Sequence, residues 1–276
     1  MTVWAYAWPR DVVRIAGVDT EKYLQGQLSQ DVSFPVGERR FSLVLEPQGK
    51  IDAWFRLHRL TETEYLADLD AGSADALIAR LERFKLRSDV TITPEPAWRC
   101  LAIRGGEAAA VAATIDGELK APLVGPWPGF EGVDVLGPGV EAPRDLEIVD
   151  EAAFEHARIA AGFPAMGSEL TADVIPAATG VVDVSASFTK GCYTGQELVA
   201  RVESRGSNTP TKLHRLTVAD GVAVGASVTQ AGAEVGTITS AARNAALAYL
   251  KRSVDAEAPI EVAGQPATLV GLAGQP

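Results

Sequence analysis

The stretch Lys190-Gly191-Cys192-Tyr193-Thr194-Gly195-Gln196-Glu197, followed by Leu198-Val199-Ala200-Arg201, is the most unusual segment of this 276-residue sequence. Two glycines bracket Cys192-Tyr193-Thr194, so the backbone can turn sharply there and approach a ligand closely. The run from Gln196 is compatible with a helix, which places Cys192 a few residues before a helix N-terminus. If the chain is extended from Lys190, the ammonium and the thiol point to the same side. Such surroundings favour the thiolate, which is the better nucleophile and metal ligand.

We call residues 190–197 the cysteine motif. Two interpretations of Cys192 follow from these residues. Free cysteines are usually buried, so Cys192 can be an ordinary structural side chain. The flanking glycines and the neighbouring lysine instead favour an accessible, easily ionised thiol.

Charge separates this region from the rest of the chain. The formal net charge is −11, from 25 basic and 36 acidic residues. That balance argues against broad binding to nucleic acids or anionic membranes, because those partners need a positive footprint. Between 185 and 215 the balance is reversed, and the basic residues are Lys190, Arg201, Arg205, Lys212 and Arg215. A local positive region suits a small anionic ligand; the alternative is a solvated surface with scattered ion pairs.

The cysteine and histidine content excludes several kinds of site. Cys100 and Cys192 are too few for a disulfide framework, a structural zinc site or an iron–sulfur cluster held by one chain. The three histidines are widely spaced and match no metal motif, so no metal site is expected. The sequence shows no signal-type segment and no apolar run of membrane length, which predicts a cytoplasmic protein without membrane partners.

Hydrophobic periodicity predicts mixed strands and helices up to Pro210 and short β segments beyond it. Three helix starts are predicted from the N-cap residues Asp19, Ser73 and Asp150. The first of these helices is expected to run to about residue 31. The β segments after Pro210, at 212–219, 222–229, 233–240, 245–250 and 259–271, predict a small C-terminal barrel or sandwich.

The cysteine motif resembles the signature of the YgfZ-type folate-binding proteins, which are relatives of the glycine cleavage system T-protein, an aminomethyltransferase. Other stretches are similar to that family in the same order along the chain. They are 23–32 (its first helix), Gly49-Lys50 (its hairpin), 81–90 (its Leu-x-x-Phe/Tyr-x-x-Arg-x-x-Val segment), 158–164 and Ile175-Pro176 (the region before the motif). The resemblance therefore covers most of the chain, and the cysteine motif is its most specific part.

The resemblance implies an α+β fold, a T-protein-like ring of mixed α/β units around a central hole that binds tetrahydrofolate or a derivative. We accordingly expect three units: 1–40 plus 145–207, which carries the cysteine motif; 41–144; and a small antiparallel β-barrel at 208–276. The family role implied is folate-dependent assembly or repair of iron–sulfur enzymes, including one that modifies tRNA. Iron–sulfur client or assembly proteins are the implied partners, and no direct contact with nucleic acid is expected.

The resemblance also assigns site residues. Cys192 would be the key thiol with Lys190 beside it, and the folate-binding groups near them would be Tyr193, Gln196, Glu197 and Arg201. Aminomethyltransferases of this superfamily hold the pterin through a glutamate in an Arg-x-Glu-Ala-Gly stretch, and the matching residue here is Ala160. Alanine cannot accept pterin N–H groups, so other residues must do so. The candidates are Asp52, Arg56 and Asp70.

Alternatives remain open at these positions. Asp52 lies near the place of the superfamily's catalytic aspartate, so a folate-dependent one-carbon transferase is the main alternative function. A raised pKa would suit Asp52 to acid–base catalysis. The other interpretation of Asp52 and Arg56 is that they are outward-facing charges on a hairpin.

A helix face carries a short positive strip that would suit direct tRNA binding, although the net charge of the chain opposes it. The strip consists of Arg80, Arg83 and Arg87.

Overall fold

The computed structural model describes residues 3–204, 206 and 208–275, and within them it has two five-stranded sheets and a closed six-stranded barrel. The strands are β1 (Trp4–Ala7), β2 (Arg10–Ala16), β3 (Arg39–Leu45), β4 (Ile51–Arg59), β5 (Glu64–Asp70), β6 (Thr91–Pro94), β7 (Trp98–Arg104), β8 (Leu119–Leu123), β9 (Gly132–Pro138), β10 (Glu147–Ile148), β11 (Thr211–Thr217), β12 (Ser227–Gln230), β13 (Ala233–Ala242), β14 (Ala245–Lys251), β15 (Ile260–Val262) and β16 (Gln265–Leu272). The helices are α1 (Thr20–Gln27), α2 (Ala74–Phe84), α3 (Ala108–Ala113), α4 (Glu151–Ala161), α5 (Val182–Ser185) and α6 (Gln196–Ser204), with a 3-10 turn at Pro176–Ala178. The predicted α+β class and the C-terminal barrel are confirmed.

A proline marks the point where the chain changes sheets. The first sheet has the strand order β10-β1-β7-β9-β8, and the second has the order β3-β4-β5-β2-β6. Pro9 separates β1 from β2 and has no N–H with which to continue a ladder. β1 then pairs with β7, whereas β2 pairs with β5. Both pairings join strands from the predicted unit 1–40 plus 145–207 to strands from 41–144, and the division into units stays a prediction.

The three predicted helix starts are stabilised in different ways. Asp150 caps α4 through Oδ1, which accepts a hydrogen bond from a first-turn N–H at 2.8 Å. Asp19 and Ser73 precede α1 and α2 but make no side-chain cap bond. At α2 the acceptor comes from β2 instead, since Asp11 Oδ2 accepts from the Ala74 N–H at 2.9 Å.

Helix α1 is shorter than predicted, and its end is tied to the region of the cysteine motif. It stops at Gln27 because Leu28 is extended and forms a β-bridge with Val44 of β3. Ser29 follows, and its hydroxyl donates to the Ser185 carbonyl at 2.6 Å. The end of α1 is thereby attached to β3 and to the segment that precedes the motif.

Aromatic side chains from β4 and from loops next to both sheets pack into one cluster. Phe163, just after α4, has its ring centroid 4.8 Å from Trp127, 5.2 Å from Trp54 and 5.4 Å from Phe130. Trp8 packs against the same ring at 5.9 Å. Edge-to-face and tilted pairs of this kind add about 0.5–1.5 kcal/mol each beyond the gain from burial. We call these five residues the aromatic core.

The barrel is joined to α4 through a buried glutamate. Glu169 is fully buried; it accepts a hydrogen bond from the Ser240 hydroxyl at 2.6 Å and pairs with Arg158 at 3.4 Å. Tyr249 donates its hydroxyl to the Glu169 carbonyl at 2.8 Å. The barrel thus fixes the loop that carries Phe163. Among the helices described, none is long and apolar enough to span a bilayer.

Candidate functional site

The cysteine motif comprises the end of the loop between α5 and α6 and the first two residues of α6, and it lies against the end of α1. The Thr194 N–H donates to the Gly26 carbonyl at 3.3 Å. Just before the motif, the Ser187 N–H donates to the Ser29 carbonyl at 2.9 Å. These backbone bonds fix both ends of the loop, because a buried main-chain group that loses its partner is costly.

Two glycines allow the motif to lie directly on the β3–β4 hairpin. Gly195 and Gly49 have φ angles of +81° and +82°, in the left-handed region that favours glycine. A Cβ at Gly195 would lie 2.5 Å from the Glu46 carbonyl oxygen, and a Cβ at Gly49 would lie 2.5 Å from the Leu198 Cβ. The stretches that resemble a family's first helix, hairpin and cysteine motif therefore form one spatial unit.

Cys192 is exposed, whereas Cys100 is buried in β7. The interpretation of Cys192 as a buried structural residue is therefore wrong. Gly191 beside it is also exposed, and a Cβ added there would have no heavy atom within 4 Å. Burial raises the pKa of the Cys100 thiol, and the Asp134 carboxylate acts in the same direction. The two cysteines thus differ sharply in accessibility to a reagent or a partner.

Lys190 is attached to the end of α1. Its Nζ donates to the Leu28 carbonyl at 2.6 Å and to the Gln30 carbonyl at 3.1 Å, and it lies 5.1 Å from the centre of the Tyr193 ring. Burial lowers the pKa of Lys190 to about 8, while the nearby Asp31 opposes the shift. The amine therefore holds the motif in place, and part of it is uncharged near neutral pH.

The other predicted residues of this region differ in exposure. Tyr193 is buried, its hydroxyl has no hydrogen-bond partner among the described residues, and burial raises its pKa to about 12. Gln196 is half-buried at the start of α6. Glu197 and Arg201 are exposed and form an ion pair at 3.6 Å. Arg205, from the predicted positive segment, lies outside the described residues. Folate contacts by these side chains stay predictions.

Asp52 lies in an open pocket of about 590 Å³ between the β3–β4 hairpin and α2, which we call the hairpin pocket. It pairs with Arg80 at 3.2 Å. Burial raises the pKa of Asp52 and Glu46 adds to the rise, while Arg80 opposes it. Arg80 also donates to the Leu45 carbonyl at 3.0 Å and packs 4.1 Å from the centre of the Phe84 ring. This arginine of the predicted positive strip therefore already has partners within the fold.

Arg56 belongs to a buried ion-pair network. It is 2% exposed, its Nε donates to Asp68 Oδ2 at 3.0 Å, and it also pairs with Asp134. Arg104 pairs with Asp134 at 2.6 Å, and His58 Nε2 lies 2.5 Å from Asp68. Burial alone would raise the pKa of both carboxyl groups, but the adjacent guanidinium groups lower both below their usual range. The interpretation of Arg56 as an outward-facing charge is wrong, because β4 is buried on both faces.

Asp70, the last residue of β5, lines a separate pocket of about 330 Å³ beside α4. The pocket combines aromatic with acidic side chains, and we call it the aromatic–acidic pocket. Its principal residues are Tyr6, Trp8, Asp70, Glu151, Glu155 and Phe163. Trp8 and Phe163 also belong to the aromatic core, so two walls of the pocket are continuous with packed interior.

Among the residues that line this pocket, only Asp70 was predicted from the sequence as a site residue. One local signal was present, because Glu151, Glu155 and Arg158 are spaced i, i+4 and i+7 and share a face of α4. Ala160, the position that the resemblance matches to a pterin-binding glutamate, is exposed on the same helix. The structure thus brings Asp70 to one pocket, Asp52 to another and Arg56 to a buried network.

Comparison with known proteins yields relatives in sequence and in fold. Residues 211–272 match the family described as CAF17, C-terminal beta-barrel domain. The chain is 31% identical over 222 residues to the tRNA-modifying protein YgfZ of Yersinia enterocolitica, a match that covers 71% of this chain and 66% of the relative. With the tRNA-modifying protein YgfZ of an Enterobacter species, identity is 34% over 218 residues, covering 70% and 65%. The chain therefore matches just under two thirds of the length of these relatives.

The fold is similar to that of the glycine cleavage system aminomethyltransferase T from Bartonella henselae. The TM-score is 0.81 with 18% identity, over 99% of this chain and 87% of that one. At this identity the likeness concerns the fold, and the predicted T-protein-like architecture is confirmed.

Proposed function

Because this chain belongs to the YgfZ family, we propose that it is a folate-binding protein that assists iron–sulfur cluster assembly or repair and thereby supports tRNA modification. The observation that carries the proposal is the exposed thiol of Cys192 in a loop held by α1 and the β3–β4 hairpin. A net charge of −11 favours indirect support of tRNA modification through a partner protein.

Cluster chemistry at Cys192 requires a second molecule. An iron–sulfur cluster normally takes four thiolates, and the other cysteine of this chain is buried. Within the described residues, no group of three or more His, Cys, Asp or Glu side chains is placed to hold a metal ion. Cys192 would therefore contribute one thiolate, with the remaining ligands supplied by a client protein or a small thiol.

A second use of the thiol is capture of a one-carbon unit. The Cys192 sulfur would add to the carbonyl carbon of formaldehyde released from a folate. This addition forms an S–C bond, and the thiol proton passes to the carbonyl oxygen. Both uses need an ionised and accessible sulfur. The same variant, Cys192→Ala, abolishes both.

The aromatic–acidic pocket has properties that a pterin needs. Four aromatic side chains line it, of which Tyr6 is the most accessible for stacking, and the exposed Glu151 offers carboxylate oxygens for pterin N–H groups. Glu151 and Glu155 supply acids on the helix that carries Ala160, and Glu155 is paired with Arg158 at 2.7 Å. Ligand pockets span about 300–1,000 Å³, so a volume of about 330 Å³ suits the ring system and leaves a glutamate tail outside. A bound reduced folate would supply the carrier for a one-carbon unit.

Selective labelling and ligand titration test the proposal. Iodoacetamide should label Cys192 in the native protein and leave Cys100 unlabelled, with a rate that rises with pH as the thiolate forms. Calorimetry should show saturable tetrahydrofolate binding, weakened roughly tenfold by Tyr6→Leu or Glu151→Gln through loss of stacking or of a charged acceptor. Asp220→Asn, on the exposed barrel surface, is the matched control. Equal labelling of both cysteines, or no saturable binding, would refute the proposal.

A second candidate function is a folate-dependent one-carbon transferase, and the raised pKa of Asp52 favours it. Asp52 and Asp70 line different pockets, however, so Asp52 does not face the site proposed for the pterin. Turnover of a methylamine donor with tetrahydrofolate, lost in Asp52→Asn, would establish the transferase. Folate binding without turnover would favour the first proposal.

A further inference from the structure

The geometry points to Arg10 as the positioning residue of the aromatic–acidic pocket, given that this pocket is the proposed folate site. The Arg10 side chain is only 5% exposed. Its guanidinium carbon lies 4.4 Å from the centre of the Trp8 ring, and its Nη1 pairs with Asp70. Trp8 and Asp70 both line the pocket, so one buried cation fixes an aromatic wall and an acidic group of the same site.

Arg10 is itself oriented by Asp68, a fully buried neighbour on β5. Arg10 Nε and Nη2 donate to Asp68 Oδ1 at 3.1 and 2.9 Å, and Nη2 also donates to the Asp68 carbonyl at 2.9 Å. The planar guanidinium group of arginine has several N–H donors in fixed directions, so it can satisfy these acceptors while it stacks on Trp8. Lysine carries the same charge but has neither these donors nor a flat group that can stack. Arginine at this position therefore covers the Trp8 ring in a way that lysine cannot reproduce.

Asp70 extends the effect to the segment after α4 that also lines the pocket. Its Oδ2 accepts a hydrogen bond from the Met166 N–H at 2.9 Å, while Oδ1 pairs with Arg10. Met166 and Phe163 belong to the segment that lines the pocket after α4. Arg10 thus holds one wall by direct stacking and the other through Asp70. Since Arg10 is not among the lining residues, it acts on a ligand through these neighbours.

A double-mutant cycle tests this role through affinity. Arg10→Lys should weaken tetrahydrofolate binding about tenfold in the wild-type background and less than about threefold in an Asp70→Ala background, because the link through Asp70 is already lost there. Arg14→Lys is the matched control: Arg14 lies on the same strand and pairs with Glu64 and Glu95 outside the pocket, so affinity should not change. Equal effects of Arg10→Lys in both backgrounds would overturn the role of Asp70 in the inference.

Two readouts without ligand separate this inference from the proposed function. In Arg10→Lys, the Met166 amide should exchange with solvent about tenfold faster, and the fluorine resonance of 5-fluorotryptophan at position 8 should shift. Unchanged exchange and resonance would overturn the inference even if folate binds. If the wild type binds no folate but both signals change, the proposed function fails and the positioning role stands. Should Arg10→Lys not fold, Asp70→Ala must produce the same two changes.

Discussion

Replacement of Gly195 by alanine tests whether close contact with the β3–β4 hairpin holds the cysteine motif. At a φ of +81°, a residue with a Cβ loses about 1–2 kcal/mol relative to glycine. The new Cβ would also lie 2.5 Å from the Glu46 carbonyl oxygen and 2.7 Å from the Leu45 Cβ. Relief of such a clash requires backbone movement, for which overpacked sites lose about 1–3 kcal/mol. We expect Gly195→Ala to lower the free energy of unfolding by about 2–5 kcal/mol in total.

Two other glycines separate the contributions. Gly72 has a φ of +86°, but a Cβ added there would have no heavy atom within 4 Å, so Gly72→Ala should lose only the backbone part, about 1–2 kcal/mol. Gly191, inside the motif, also has open space and no left-handed φ, so Gly191→Ala should change stability by less than about 0.5 kcal/mol. Urea unfolding measures all three. If Gly195→Ala and Gly72→Ala are equally destabilising, the close contact contributes nothing and the reasoning is refuted.

Other perturbations address the buried charges. Folding lowers the pKa values of Asp68 and Asp134, so the unfolded chain binds more protons than the folded protein in acid. The free energy of unfolding should therefore be constant above about pH 5 and should fall as the pH drops through the pKa values of the folded protein. Urea unfolding across this pH range measures the effect. Asp134→Asn should lower the free energy of unfolding by about 3–5 kcal/mol because Arg56 and Arg104 lose a shared carboxylate, and a loss below about 1 kcal/mol would contradict this. The pKa of Lys190 is lowered from 10.5 to about 8, so between these two pH values the unfolded chain binds more protons than the folded protein. The free energy of unfolding should therefore rise from pH 8 to pH 10.5, and Lys190→Met should remove this rise. Asp31→Asn should lower the Lys190 pKa further, as measured by NMR of the ¹³C-methylated amine, and an increase would contradict the assigned sign.

Local signals in the sequence predicted local structure well. Helix α4 begins after Asp150 as predicted, because an N-cap acts within one turn of the helix. The end of α1 was not predictable in this way. Leu28 leaves the helix to bridge Val44, a partner that helix propensity does not register.

The sites that involve distant residues escaped sequence reasoning for a physical reason. The aromatic–acidic pocket joins Trp8, Asp70 and α4, and nothing in the local pattern connects them. Arg56 looks like a solvent-facing residue of a hairpin, yet β4 is covered on both faces and the charge is matched by acids from two sheets. The accessibility of Cys192, in contrast, was one of two interpretations that its neighbours in the chain left open, and the family resemblance favoured it.

The requirement for an accessible Cys192 thiol is tested most directly by complementation of a bacterial strain that lacks its own YgfZ protein. The measurement is the extent of iron–sulfur-dependent tRNA modification in strains that express this chain with Cys192→Ala or, as the control, Cys100→Ala, at matched soluble levels. We expect Cys192→Ala to leave modification at the level of the deletion strain and Cys100→Ala to restore it. Full restoration by Cys192→Ala would contradict the proposed function.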